Sequence, residues 1–355
     1  MLWNQLFKFN KTNRAWHLPA VAGICVGIPL LLGLCFDNLA AGKIASIGAL
    51  VILYIQSDKL INRMMILMVC GFGFIFSYTI GLIFSYSFWL SPVILALYTF
   101  GLHYALFRLA LTKPPGNFFF TMIASMAIAT PKDTSTIPTS IGYLSMGVMI
   151  SCVAGLLYSL LTLKKDNNTG EAVIIHQNKY VNITESIILG ITVGASLLIA
   201  KLLKMENPYW IPISCMAVMQ GITTTHVWAR AIQRILGTLI GLALAWGVLQ
   251  FTLSLLGVCI CILILQTIVE FLVVRNYTLA AVFITMLTIF LTETNISLTE
   301  QTGHLIRTRF LDTLIGSAIG AIGGWMLYHE QVHFYTKKQV KKTKVILNRM
   351  KHGKE

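Results

Sequence analysis

Residues 187–200 read IILGITVGASLLIA. The run holds no charged side chain, and its apolar residues do not alternate as they would in a barrel strand with one face in lipid. Backbone N–H and C=O groups in lipid must be paired within the segment, which leaves a helix. Stretches of this kind recur along the chain, giving the set 18–36, 44–57, 64–84, 88–111, 117–130, 137–163, 186–203, 209–222, 231–250, 253–273, 277–292 and 310–328. A crossing needs about 20 apolar residues. The pattern predicts an all-α polytopic membrane protein with about twelve transmembrane helices.

Composition agrees. Of 355 residues, 56% are hydrophobic and 11% charged, against about 45–50% and about 25% in soluble domains. Too little polar surface remains to coat a water-soluble globule. That excludes an ordinary cytosolic enzyme, a secreted disulfide scaffold and a disordered chain. The net charge of +14 would suggest nucleic acid in a soluble domain. Here it fits positive charge gathered on the cytoplasmic side of a membrane. With the N-terminus inside and all twelve stretches crossing, 21 of the 27 Lys and Arg residues fall inside. Six fall outside: Lys43, Lys132, Lys201, Lys204, Arg307 and Arg309. The bias predicts a multi-pass protein of the inner (cytoplasmic) membrane with both termini cytoplasmic. The seven cysteines show no Cys-x-x-Cys spacing and read as buried thiols, neither disulfides nor zinc ligands. Leu18 to Phe36 is too long for the apolar core of a cleaved signal.

The polar stretch KKDNNTGEAVIIHQNKY, residues 164–180, divides the chain. Each half holds six stretches, and in each the second and fifth are short. Gly23-x-x-x-Gly27 in the first stretch recurs as Gly190-x-x-x-Gly194 in the seventh; Gln56 and Gln220 end the short second stretches; Arg63 and Arg230 begin the third; Asn117 and Asn276 begin the fifth. Six crossings return the chain to its starting side, so the expected architecture is two parallel six-helix repeats about an axis along the membrane normal. The divisions are 1–163, the first repeat; 164–184, a cytoplasmic linker; 185–328, the second repeat; and 329–355, a basic cytoplasmic tail. Short segments at matching places in two halves point to a transport site.

Two clusters carry the candidate chemistry. The first is Asn207-Pro-Tyr-Trp-Ile-Pro212 with Gln220, Arg230 and Arg234. Tyr209 and Trp210 suit either an interface anchor or a platform beside an aromatic ligand. Arg230 and Arg234 share a helix face, where their repulsion would be relieved by an anion or by lipid phosphates. The second is Arg307-Thr-Arg-Phe-Leu-Asp312. Arg307 and Arg309 break the charge bias, and Asp312 precedes an apolar run. An ionisable group within a span is a functional hypothesis by default, here a proton carrier or an Arg309–Asp312 pair. Glu270 and Arg275 read as a boundary pair, His103 as an interior histidine with a partner, and Lys132-Asp133 as part of a turn between Pro131 and Pro138. The tail, with eight Lys and Arg residues after Gln331, reads as a basic amphipathic extension on the anionic inner leaflet. No phosphate-binding loop, His-Glu-x-x-His or Gly-x-Ser-x-Gly occurs, so no enzyme activity and no cofactor or metal is expected.

Tyr209-Trp210, Gln220, Arg230-x-x-x-Arg234-x-x-Gly237-Thr238-x-x-Gly241 and Arg309-x-x-Asp312-Thr313-x-x-Gly316 together resemble the fusaric acid resistance/aromatic acid exporter family over about residues 185–328. The resemblance implies an inner-membrane exporter of aromatic or similar organic acids, working with a periplasmic membrane-fusion protein. Plant malate channels are distantly similar, with six-span subunits paired about a pore. The first half lacks counterparts of Arg234, Arg309 and Asp312. The expectation is efflux of organic anions by transport coupled to protons. Arg230, Arg234, Arg307 and Arg309 would attract the carboxylate between the two bundles, Tyr209 and Trp210 would face its ring, Gln220 would line the site, and Asp312 would carry the proton. The alternatives are a passive anion channel and a non-transporting membrane scaffold. Expected partners are the organic anion, membrane lipids, the membrane-fusion protein and a second copy of the chain, with no nucleic acid.

Overall fold

A computed structural model describes residues 9–10, 12, 14–55, 60–109, 114–162, 179–250, 254–292 and 301–329. The described residues fold into twelve α-helices and no strand. They are α1 (Leu18–Cys35), α2 (Leu39–Ala49), α3 (Leu60–Ile83), α4 (Leu90–Arg108), α5 (Phe118–Ala129), α6 (Ile137–Leu161), α7 (Lys179–Leu202), α8 (Trp210–Met219), α9 (Thr224–Leu249), α10 (Leu255–Leu272), α11 (Tyr277–Thr292) and α12 (Gln301–Tyr328). One falls on each predicted stretch. Eight are long and apolar enough to cross a membrane; α2 with its 3-10 extension Leu50–Tyr54, α5, α8 and α11 are shorter. These are the second and fifth of each half, as the sequence predicts. Gln56, most of the linker and the tail from residue 330 lie outside the described residues.

The chemistry of the ends explains several boundaries. Asn38 Oδ1 accepts from Ala41 N and starts α2 at Leu39, ahead of the apolar run. Thr223 and Ser254 cap α9 and α10 in the same way, through His226 N and Gly257 N; such a cap contributes about 1 kcal/mol. Three helices start well before their predicted stretches: α7 at Lys179 rather than 186, taking in residues 179–184 of the expected linker, α9 at Thr224 rather than 231, and α12 at Gln301 rather than 310. Hydropathy stops at a charge, whereas helical hydrogen bonding runs through it. Arg230, Arg307 and Arg309 therefore stand on helices rather than beyond their ends.

Large apolar side chains such as Phe72, Met149 and Ile191 are exposed along the long helices, a surface suited to lipid rather than water. The short α8 is the opposite, with all ten residues buried. Helices shorter than a bilayer are tolerated at membrane depth where protein encloses them.

The packing has a recurring order. In the first six helices, α1 packs on α2 and α6, α2 on α6, α3 on α5 and α6, and α4 on α5. In the last six, α7 packs on α8 and α12, α8 on α12, α9 on α11 and α12, and α10 on α11. Between the two sets, α1 packs on α10 and α4 on α7, while α5 meets α8. The glycine pairs found in the sequence lie in the two longer seams. A Cβ on Gly27 would stand 2.7 Å from Leu263 Cδ1, and one on Gly23 would collide with Thr267 Oγ1. A Cβ on Gly194 would stand 2.6 Å from Ala96 Cβ, and one on Gly190 would stand 3.0 Å from Phe100 Cβ. Gly23 and Gly190, Gly27 and Gly194, Ala96 and Leu263, and Phe100 and Thr267 are each 167 positions apart.

Each seam also carries a polar tie, and one residue of each tie, His103 and Glu270, is again 167 positions from its counterpart. His103 Nδ1 lies 2.8 Å from Ser186 Oγ, the partnered interior histidine the sequence predicts. Glu270 does not pair with Arg275 as expected. Its Oε2 accepts from Arg14 Nη2 at 3.1 Å. Arg275 lies against the Phe271 ring, 3.6 Å from its centroid, and donates to Phe271 O. The Arg14–Glu270 pair joins the segment before α1 to α10. Removing one partner of a buried pair strands the other charge, at a cost of several kcal/mol. Arg14 is partly exposed, so water relieves some of this. Arg14→Ala should destabilise the protein by about 2 kcal/mol, seen as a lower midpoint in thermal unfolding in detergent, and Glu270→Gln in the Arg14→Ala background should recover part of it. At the Lys132-Asp133 turn, the chain makes a 3-10 turn at Thr134–Thr136, and Lys132 Nζ donates to Ser140 Oγ at 2.8 Å.

Candidate functional site

The candidate residues gather where α8, α9, α11 and α12 meet. Glycines bring these helices together. A Cβ on Gly316 would lie 2.5 Å from Ile211 O, and one on Gly320 2.5 Å from Cys215 O; α8 and α12 thus run side by side in the same direction. A Cβ on Gly237 would lie 2.8 Å from Thr278 O, and one on Gly241 2.5 Å from Val282 O, so α9 and α11 do likewise.

Arg234 stands ten residues along α9 from Thr224, about 15 Å at 1.5 Å per residue, comparable with half of a ~30 Å hydrocarbon core. It is 5% exposed. Among the described residues it makes no hydrogen bond or ion pair, and its Nε is buried without a partner. A guanidinium carries five N–H donors and a charge that is never lost, so this is a costly arrangement for the protein alone.

Arg230, one turn nearer the start of α9, is engaged. Its guanidinium lies 4.3 Å from the Tyr277 ring centroid, and Nη1 donates to Gln220 O at 3.4 Å. Gln220 Nε2 in turn donates to Pro115 O at 3.3 Å, tying the end of α8 to the segment before α5. Tyr328 donates from its hydroxyl to Gly221 O at 2.5 Å.

Arg309 stands over Trp210, 3.4 Å from the ring centroid, and donates from Nη2 to Thr288 Oγ1 at 2.7 Å. A cation on an indole face is favoured by the ring's quadrupole, by about 2 kcal/mol when desolvated. Tyr209 and Trp210 are both buried and pack with Ile213 against Phe118, Met122 and Met126. They are not interface anchors, because α5 covers them. Asp312 is 1% exposed, and its Oδ1 accepts no hydrogen bond. Ser214 Oγ on α8 and Ser317 Oγ on α12 are also buried without partners. Arg307 is exposed; two residues from Arg309 on a helix, it points to another face and takes no part in this cluster.

The arginines therefore lie within the second set of six helices rather than between the two sets. The first set reaches them through Pro115 and the α5 side chains around Trp210. Along α11, Tyr277 and Thr288 are eleven residues apart, about 16 Å, so the Arg230 and Arg309 clusters form two levels of one seam. The Thr285 Oγ1 to Thr238 Oγ1 contact at 3.4 Å lies between them. Tyr277, Thr285 and Thr288 were not singled out in the sequence, although polar residues recurring along one apolar stretch mark a helix face turned to a polar seam. Among the described residues, no group of three His, Cys, Asp or Glu is placed to hold a metal.

These residues fall in one block of the chain. Residues 193–323 match the family described as fusaric acid resistance protein-like. The match takes in Tyr209, Trp210, Gln220, Arg230, Arg234, Arg309 and Asp312, and supports the resemblance drawn from their spacing. The chain is also similar to an uncharacterized membrane protein, YvaC, of Bacillus subtilis (strain 168), with 37% identity over 139 residues, which is 39% of this chain. The aligned part spans 22% of that protein's length. No solved structure matches the chain. The eight helices long and apolar enough to cross a bilayer, together with the similarity to a membrane protein, make this a membrane protein with a fusaric acid resistance protein-like block at residues 193–323.

Proposed function

We propose that the chain is a carrier built as two parallel six-helix repeats, crossing the inner membrane twelve times with both ends in the cytoplasm, that exports organic anions such as aromatic carboxylic acids in exchange for protons. The recurring packing order and the seams related by 167 positions support the two repeats. The charge bias supports the orientation. The observation that carries the function is Arg234, a buried guanidinium with no partner among the described residues. A carboxylate matches its forked donors and would neutralise the charge at mid-depth.

Arg230, already stacked on Tyr277, would hold the approach from the Gln220 side, and Arg309 the approach from the Trp210 side. The face of Trp210 is covered by Arg309, so an aromatic ring would meet it after Arg309 swings away. Asp312 would carry the proton, its free Oδ1 accepting it. The membrane-fusion protein belongs to the same proposal as the partner that takes the solute onward.

Asp312→Asn tests the coupling. In proteoliposomes, the variant should lose acceleration of benzoate efflux by an opposing proton gradient while still exchanging benzoate for benzoate. Unchanged acceleration would reject proton carriage by Asp312. A benzoate current that persists in both proteins without saturation would favour a channel.

A further inference from the structure

Asp312 is too deeply buried to collect protons from water directly, and the structure places two further titratable groups between it and one end of the bundle. We propose that Glu206, assisted by His304, is the proton-transfer group that loads Asp312 from the side of the 203–209 turn. This rests on the proton-coupled reading above and adds residues to it.

The register of α8 against α12 is the first support. Gly316 meets Ile211 and Gly320 meets Cys215, so Asp312, one turn back along α12, lies toward the start of α8 at Trp210, which the turn holding Glu206 directly precedes. The charge of Glu206 is within electrostatic reach of Asp312. The second support is the pairing of Glu206 itself: its Oε1 lies 3.5 Å from His304 Nδ1, and the two side chains are 57% and 62% exposed. His304 lies eight residues before Asp312, two turns away on the same face of α12. Exposure thus falls from a water-facing imidazole–carboxylate pair to a buried carboxylate whose Oδ1 has no partner.

Other charges near Asp312 do not offer this path. Arg309 on its own helix lies against Trp210 and Thr288. Arg234 on α9 does not release a proton. From α7, Glu185 acts near Tyr328 at the other end of α12, and Lys201 donates to Ser91 and Ser87. In the step, the Glu206 carboxylate takes a proton from hydronium, leaving water, or from the His304 imidazolium, whose N–H bond breaks to leave the neutral imidazole. It then passes that proton to Asp312 and is left again as a carboxylate. One O–H bond breaks as another forms, and no further reactant is needed.

The test uses the full chain in proteoliposomes with benzoate inside, acid outside and a pH-sensitive dye trapped within. Glu206→Gln should slow benzoate-coupled proton uptake about tenfold, a modest share of what a positioned acid–base group contributes. Benzoate–benzoate exchange, which needs no net proton movement, should be unchanged. Glu206→Asp should restore most of the proton flux, and His304→Gln should lower it by a smaller factor. If Asp312→Asn abolishes coupling while Glu206→Gln and His304→Gln leave it at the wild-type rate, this assignment is wrong and the carrier reading stands. If Asp312→Asn leaves coupling intact, both fall. Loss of exchange together with proton flux in Glu206→Gln, without recovery in Glu206→Asp, would also overturn the assignment; should Glu206→Gln fail to reach the membrane, the His304→Gln comparison decides it.

Discussion

Arg234→Leu is expected to reduce organic-anion export by about a hundredfold without lowering the stability of the protein. Truncating one member of a buried charge pair costs about 2–5 kcal/mol. If the carboxylate of the solute is the missing partner, a loss near 2.7 kcal/mol corresponds to that hundredfold. Stability should move the other way. Arg234 is 5% exposed and unpaired among the described residues, and a buried charge without compensation weakens a fold. Leucine is shorter than arginine but carries no charge to desolvate, so the unfolding midpoint should stay level or rise. A structural arginine would give the reverse, with stability falling and any transport loss following from it. The measurements are benzoate sensitivity in cells lacking their own exporter, with the variant quantified in the membrane, and thermal unfolding of the purified protein. Arg234→Lys should recover little, since an ammonium cannot reproduce the fork.

Gly27→Leu and Gly194→Leu are expected to destabilise the protein by similar amounts, about 3 kcal/mol or more each, because both force a branched side chain into a closed helix seam. The space is already taken by Leu263 at one site and Ala96 at the other. Equal losses in thermal unfolding would support the equivalence of the α1–α10 and α4–α7 seams. A large loss at one site with none at the other would contradict the two-repeat proposal. Gly101→Leu is the control. Nothing lies within 4 Å of a Cβ there, and leucine is the better helix former, so the variant should be neutral or slightly more stable.

Most of the helical architecture was legible because hydropathy is a property of consecutive residues. All twelve stretches became helices, and the brevity of the second and fifth in each half was visible in the apolar run lengths. The glycine pairs were visible too, although only the packing shows that Gly23 and Gly27 serve one seam and Gly190 and Gly194 the other. Contacts between distant residues were not legible. Arg14 and Glu270 are 256 positions apart, and adjacency along the chain suggested Arg275 instead. Tyr209 and Trp210 suited an interface anchor as well as a ring platform, because local composition cannot reveal that α5 covers them. Arg307 and Arg309 looked alike in sequence. Their separation by two residues on a helix sends one to the surface and the other onto Trp210. The residues of the site lie in the block where family similarity was strongest, whereas Thr288 and Tyr277 emerged only once α11 was seen against α9 and α12.

The central claim is that this chain carries organic anions past a buried arginine. Its most direct measurement is the efflux of radiolabelled benzoate from proteoliposomes containing the purified full-length chain, alongside the Arg234→Leu protein and protein-free vesicles. The account predicts saturable efflux from the wild type, slowed by competing organic anions and close to the protein-free level in the variant. Wild-type efflux no faster than that from protein-free vesicles, or equal efflux from wild type and variant, would contradict it.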